Sequence, residues 1–510
     1  MFSNLGEMVP RRLPGEVTWL TEIAHDDSER SITFAQMQAQ ADAVARGLLA
    51  RKLVRGERVA LVAGNSARYL IALLGILRAG LVAVPVNPKL PPATIDHIHR
   101  DAQIRLTLAD GATLPSLEGR PSLRIDNDVA WENLLDAGPF DSPAMRPEEF
   151  ALILYTSGSS GRPKGVPLTH GGYTWAADLL VEAGPPMAGK RVLVAAPLYH
   201  MNGLLMSLLT SRGGGSVVLL QRFGAAQYLQ AAARHRCQVV TSVPTMLALV
   251  ARETALIDAL DLGSVETVVT GSAPSTEALF ECIAKVFPNA RVTNSYGTTE
   301  SSPVCFGHHP RGLPRPPLSI GYPVPQAQVK LVGGPTADEG VLWLRSRAVM
   351  PGYLNLPEAT ASRMHDGWYD TGDVMRRDAE GFFYFVGRSD DMFVCGGENI
   401  YPGEVEKLLE AHPAVAQAVV VPVPDEIKGQ LPAAFIVRRA GAEASADEIK
   451  AYALARAPAY QHPRFVEFVA EMPLAGPGKI DRRQLLERAQ RAFGARRAPQ
   501  RLDRPMKSHP

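Results

Sequence analysis

Apolar and polar positions along the chain alternate repeatedly between a strand-like and a helix-like spacing. Arg58 to Ala63 is a short apolar run of the kind a buried strand presents. Ser66 then opens a helical stretch to Ala79, and Leu81 to Val86 is again apolar and strand-like. That order predicts a strand–helix–strand unit. A second is predicted from the strand Arg191 to Ala196, a helix from Met201 to Thr210 and a return strand from Ser216 to Leu220, with further buried strands at Gln238 to Ser242 and Val265 to Thr270. The alternation predicts an α/β fold whose large N-terminal lobe has mixed and parallel sheets covered by helices.

Beyond about Arg388 the elements shorten: a helix at Pro402 to Glu410, strands at Val415 to Val421 and Ala433 to Val437, and a helix near Asp447 to Ala455. They predict a separate small α+β lobe. After Phe493 the chain is rich in Arg and Pro with few apolar residues, so a disordered tail is expected over 496–510. The expected division is 1–388 for the large lobe, 389–391 for a hinge and 392–495 for a small mobile lobe.

Composition narrows the field. The 510 residues exceed what one hydrophobic core serves. With 53 basic against 52 acidic side chains, a formal charge of +1 offers neither a nucleic-acid surface nor a polybasic membrane surface. Cys237, Cys282, Cys305 and Cys395 are scattered without a CxxC pair, which argues against a zinc knuckle or a disulfide framework and for the cytoplasm. Met1 to Arg12 shows no basic region followed by an apolar run, so no secretory signal is expected. Tyr69 to Val86 is broken by Arg78 and Pro85 and reads as helix then strand, not as a membrane span.

The segment with most chemistry runs from Tyr155 to Gly165 after the apolar strand Ala151 to Leu154. Thr156, Ser157, Gly158, Ser159, Ser160, Gly161 and Lys164 offer backbone N–H groups, hydroxyls and a cation to phosphate oxygens. No Gly-Lys-Ser/Thr follows at Walker spacing, which disfavours a kinase or GTPase. A plain surface turn also fits this composition. Further along stand Gly271-Ser272-Ala273-Pro274, Asn294-Ser295-Tyr296-Gly297-Thr298-Thr299-Glu300, Tyr369 to Asp373, Gly387-Arg388, Asp390 to Pro402 and Pro473 to Arg482. Singly, each has an ordinary reading: an Asp in a Thr-Gly turn, a glycine pair in a hairpin, an exposed lysine on a Gly/Pro loop.

In this order, over nearly the whole chain, the segments resemble the adenylate-forming superfamily in its acyl-CoA synthetase branch. The Asp390 to Pro402 stretch is especially similar to benzoate-type ligases, and the whole resembles fatty-acid CoA ligases as well. The resemblance implies that the Tyr155 to Gly165 segment holds ATP phosphates. Gly271 to Pro274 would border adenine and the acyl pocket, and Asn294 to Thr299 would contact the nucleotide, with Tyr296 on adenine and Thr299 on phosphate. Glu300 would hold Mg²⁺, a fitting role for a carboxylate. Asp373 would accept from the ribose hydroxyls with Arg388 assisting, and Asp390 would be the pivot. Gly396, Gly397 and Glu398 would line the coenzyme A tunnel. Lys479 would contact the carboxylate and the α-phosphate, where positive potential meets developing negative charge.

For the acyl pocket the resemblance implies His200, Met201, Asn202, Leu205, Val243 and Gly271, with Leu204 a further apolar wall residue. His200 is read as packing and not as a general base, because a carboxylate has no proton to lose at neutral pH. The implied activity is ATP-dependent acid–CoA ligation through an acyl-adenylate, with release of AMP and pyrophosphate, on an aromatic or a medium- to long-chain acid. Carrier-protein acceptors, amino-acid adenylation and a non-catalytic nucleotide- or acyl-binding protein stay open. The lack of Asp in Tyr199 to Leu209 speaks against amino acids. Retention of Lys164, Glu300, Asp373, Arg388 and Lys479 together speaks against a dead copy. By analogy the chain would form a homodimer, and acylation of Lys479 would switch off its first step.

Overall fold

Strand ends are set by local capping and by which residues the sheets bury. The structure, a computed structural model, describes residues 3–156, 162–184, 186–302, 305–395, 398–425, 428–476 and 479–493. In chain order the first strands are Thr18–Ile23 (β1), Glu29–Thr33 (β2), Arg58–Val62 (β3), Val82–Pro85 (β4), Ile104–Ala109 (β5), Ser122–Arg124 (β6) and Phe150–Thr156 (β7). Lys164–Thr169 (β8), Arg191–Val194 (β9), Ser216–Leu220 (β10), Val239–Ser242 (β11), Thr267–Gly271 (β12) and Arg291–Ser295 (β13) follow.

Two sheets carry them. One runs β13-β12-β11-β9-β10-β1-β2 and the other β6-β5-β3-β4-β7-β8. In the first, every pair is parallel except β1–β2. The expected unit β3–helix–β4 is present with its strands paired in parallel. Its helix, Ala67–Arg78, starts where Ser66 accepts from the Tyr69 N–H, and it is buried along its whole length. Its two arginines are buried with it, Arg68 donating to the Ile125 carbonyl at 3.1 Å and Arg78 to Asp42 at 2.7 Å, so the helix has no solvent face. The second unit, β9–helix Met201–Arg212–β10, is likewise parallel. Asn65, buried just past β3, donates to the carbonyls of Ala196 and Leu220 at 3.1 Å each and accepts from the Leu198 N–H at 2.8 Å. One amide thus pins the ends of β9 and β10 and positions the chain entering His200.

Two segments read as loops are strand. Tyr155 and Thr156 end β7, Lys164 and Gly165 begin β8, and Thr156 lies opposite Lys164 in an antiparallel ladder. The glycines and serines that follow Thr156 in the sequence hid these strand ends. Tyr369 to Asp373 lies within the strand Trp368–Arg377, where Gly372 supplies a φ of 69° that lets the strand kink.

The chain divides into two units, Met1–Thr371 with Arg376–Tyr384, and Gly372–Met375 with Phe385–Pro510. The division falls inside the strands Trp368–Arg377 and Phe383–Arg388, ahead of the boundary expected at Arg388. In the smaller unit the sheet order is Glu398–Ile400, Phe393–Cys395, Gly429–Arg438, Val415–Asp425, with Phe465–Phe468 added in parallel to Gly429–Arg438. Helices Pro402–Glu410, Ala446–Leu454 and Arg482–Phe493 belong to this unit. The two long strands exceed the expected spans. Pro422, Pro424 and Pro432 look like breaks, yet Pro422 sits opposite Pro432 within the ladder. Among the described residues, no helix is long and apolar enough to cross a membrane.

A buried imidazole makes the larger unit sensitive to acid. His170 is fully buried, its Nδ1 accepts from the Leu5 N–H at 3.0 Å, and burial pushes its pKa down to about 4. The folded form therefore prefers the neutral ring. Its contribution, on the order of 3 kcal/mol, is complete above the unfolded pKa near 6.5 and is lost as pH falls towards the folded value. Thermal unfolding should show the transition dropping between about pH 6.5 and 4.5, with His170→Asn flattening part of that limb. An unchanged slope in the variant would contradict the assignment.

Candidate active site

Parallel strands β11, β12 and β13 end side by side at Ser242, Gly271 and Ser295. Val243, Ser272 to Pro274 and Tyr296 to Glu300 follow directly, so three predicted segments share the C-terminal edge of one sheet, where open α/β folds bind ligands. Gly271 faces Ser295, and a Cβ on it would lie 2.5 Å from the Ser295 carbonyl oxygen. Only glycine fits there. Asn294 is fixed by donating to the Leu318 carbonyl at 2.8 Å, while its own carbonyl accepts from Arg315 at 3.1 Å. The Tyr296 ring meets Phe306 edge-on at 5.9 Å between centroids.

Glu300 is held from a segment the sequence did not single out. The Tyr353 hydroxyl donates to Glu300 Oε1 at 2.9 Å, and the Met350 N–H donates to the Glu300 carbonyl at 2.7 Å. Next to them, the Leu354 N–H donates to the Gly165 carbonyl at 2.9 Å, and Lys164 Nζ stands 5.2 Å from the centre of the Tyr353 ring. Met350 to Leu354 therefore laces Glu300 to Lys164. Burial, and then the Glu300 charge, raise the Tyr353 pKa, so the phenol stays a donor. The only sequence signal was an aromatic hydroxyl after a Pro-Gly pair. Tyr353→Phe should lower acid-dependent ATP–pyrophosphate exchange roughly 10-fold by releasing the carboxylate. A variant within about two-fold of the parent would show that the bond does not position Glu300.

A carboxylate with one oxygen fixed by a phenol and the other without a partner among the described residues suits a hard cation shared with phosphates. Magnesium thus fits Glu300.

His200 stands at the N-cap position of the helix Met201–Arg212 without a side-chain capping bond, and its ring lies 4.7 Å from that of Tyr199. Met201, Asn202, Leu204 and Leu205 are on this helix. Asn202 Oδ1 accepts from the Thr241 hydroxyl at 3.2 Å, which joins the helix to β11 one residue before Ser242 and so close to Val243.

In the smaller unit, buried Asp373 accepts from Arg388 Nη1 at 2.9 Å. The same guanidinium grips Asp390 with Nε at 2.9 Å and Nη2 at 3.0 Å. Burial works against the Arg388 charge, but the two carboxylates outweigh it and raise its pKa. Asp390, read only as a pivot, is thus also an ion-pair partner. Glu398 faces Cys395 across a short antiparallel pair. The Lys479 backbone lies opposite Gly476 in another such pair and not in an open loop. Ser157 to Gly161, Gly396 and Gly397 lie outside the described residues, as does the Lys479 side chain.

The chain belongs to the AMP-binding enzyme family: that family model matches residues 13–354, and the AMP-binding enzyme C-terminal domain matches 404–479. It is 34% identical over 460 residues to a feruloyl-CoA synthase of an Amycolatopsis species, covering 88% of this chain and 92% of the relative. Its fold is similar to that of the anthranilate CoA ligase AuaEII in complex with anthranoyl-AMP, with a TM-score of 0.87, 27% identity and coverage of 96% and 97%. It is also similar to ATP-bound MatB from Rhodopseudomonas palustris, with a TM-score of 0.87, 26% identity and coverage of 96% and 99%.

Proposed function

We propose that this chain joins an aromatic or medium- to long-chain carboxylic acid to coenzyme A in two steps. The observation that carries the reading is Glu300 at the sheet edge, tied through Tyr353 to Lys164. A carboxylate is a poor acyl donor because oxide would have to leave. In the first step, its oxygen attacks the α-phosphorus of ATP in line, an O–P bond forms, and pyrophosphate departs with the broken bond's electrons. Lys164 and the Thr156 to Gly161 segment bind phosphates, Asp373 and Arg388 hold the ribose, and Lys479 offsets charge developing between carboxylate and phosphate. Glu300 would hold magnesium, which supplies charge neutralisation at the phosphates when bound.

In the second step the smaller lobe swings about Asp390 and exchanges the Lys479 hairpin for Gly396 and Gly397. The thiol sulfur of coenzyme A then attacks the acyl carbonyl, its proton is lost, and AMP leaves with the C–O bond's electrons. His200, Met201, Asn202, Leu205 and Val243 form the walls around the acid, and unpaired cysteines fit work in the cytoplasm. Acylation of Lys479 would remove its charge and stop the first step only.

Acid-dependent pyrophosphate exchange across a panel of benzoates, cinnamates, and C6 to C18 fatty acids tests this. Exchange with at least one class is expected, with thioester on adding coenzyme A. Exchange without thioester would assign another acceptor, and none with any acid would refute the reading.

A further inference from the structure

Nine non-glycine residues among those described have φ in the left-handed region, and Ser302, at φ 53°, is the one that is buried, with 1% of its surface exposed. Left-handed backbone is disfavoured for a residue with a Cβ. Its hydroxyl is also buried without a hydrogen-bond partner among the described residues, a second cost at the same residue. Strain and an unpaired polar group together are what a functional position tolerates.

The turn that holds Ser302 does not need its hydroxyl. Thr298 and Ser302 face each other in an isolated antiparallel bridge, with Thr299, Glu300 and Ser301 between them. Ser301 closes this turn: its N–H donates to Thr298 Oγ1 at 3.1 Å, its Oγ lies 3.0 Å from the same oxygen, and its hydroxyl donates to the Ser302 carbonyl at 3.1 Å. The Ser302 hydroxyl is left over at the base of the turn whose tip carries Glu300.

We propose that Ser302 binds the carboxylate of the acid in the first half-reaction. The inference rests on the ligase reading above. A carboxylate only accepts, so a serine hydroxyl suits it as donor, and a bond to an ionised acceptor is stronger than a neutral one. Holding one carboxylate oxygen leaves the other to face the α-phosphorus, which turns a loosely bound acid into one aligned for attack. The position two residues beyond Glu300 in the same turn matches this division: the carboxylate side chain takes the cation, and the hydroxyl takes the anion that reacts beside it.

Ser302→Gly and Ser302→Ala test it, read by acid-dependent pyrophosphate exchange and by thermal unfolding. Both delete the hydroxyl, and only glycine relieves the backbone. The KM for the acid should rise about 10-fold or more in both, with the KM for ATP within about two-fold of the parent. Ser302→Gly should unfold at a higher temperature than Ser302→Ala. An unchanged acid KM in either folded variant would overturn the proposal, and so would equal rises in both KM values. Absence of exchange in the parent protein with every acid would instead refute the ligase reading and remove the ground for this one.

Discussion

Lys479→Ala should slow acyl-adenylate formation by roughly 10²-fold or more, while thioester formation from pre-made acyl-adenylate proceeds near the parental rate. The asymmetry follows from charge. In the first step an anionic oxygen approaches an anionic phosphate, and a cation at that point lowers the barrier directly. In the second, a thiol attacks a neutral carbonyl and AMP departs from an already activated acyl group, so the lysine has little left to stabilise. If Gly397 lines the coenzyme A path as proposed, Gly397→Leu should do the opposite, because a branched side chain there would obstruct coenzyme A but not ATP. Stopped-flow or quenched measurements of the separate half-reactions would decide. Equal impairment of both by each substitution would contradict the exchange of the two faces.

Asp373→Ala should lower kcat/KM for ATP by roughly 10² and abolish discrimination between ATP and its 2′- and 3′-deoxy forms. Arg388 would keep its two bonds to Asp390, so the guanidinium is not stranded and the fold should survive. That makes the substitution informative: the lost group is a nearly buried acceptor with two oxygens, and a vicinal diol is the substrate feature it matches. Steady-state kinetics with the three nucleotides check it. A variant that still preferred ATP over both deoxy forms would move the ribose contact elsewhere.

Periodicity made the local units legible. Ser66 as a cap and the apolar run after it gave the helix Ala67–Arg78, and Pro402–Glu410 has the span that its pattern predicts. Long-range pairing was not legible, because β1 finds β10 almost two hundred residues away and no local pattern encodes that choice. Composition misled at strand ends that border a Ser/Gly-rich stretch of sequence, Thr156 and Lys164, and where prolines sit inside a ladder, at Pro422 and Pro432. Of the candidate site, Glu300, Gly271 and Asp373 could be picked out through the resemblance of their segments, taken in chain order, because each alone has an ordinary reading. Tyr353 and Ser302 could not, since their significance lies in a hydrogen bond across the fold and in a backbone angle.

The most direct test of the central claim is the fate of the acid's own oxygen. Protein supplied with ATP, magnesium, coenzyme A and an accepted acid carrying oxygen-18 in its carboxyl group should release AMP bearing a single oxygen-18, with unlabelled pyrophosphate. Unlabelled AMP formed alongside thioester would mean that the carboxylate never bonded to the α-phosphorus, and would contradict the account.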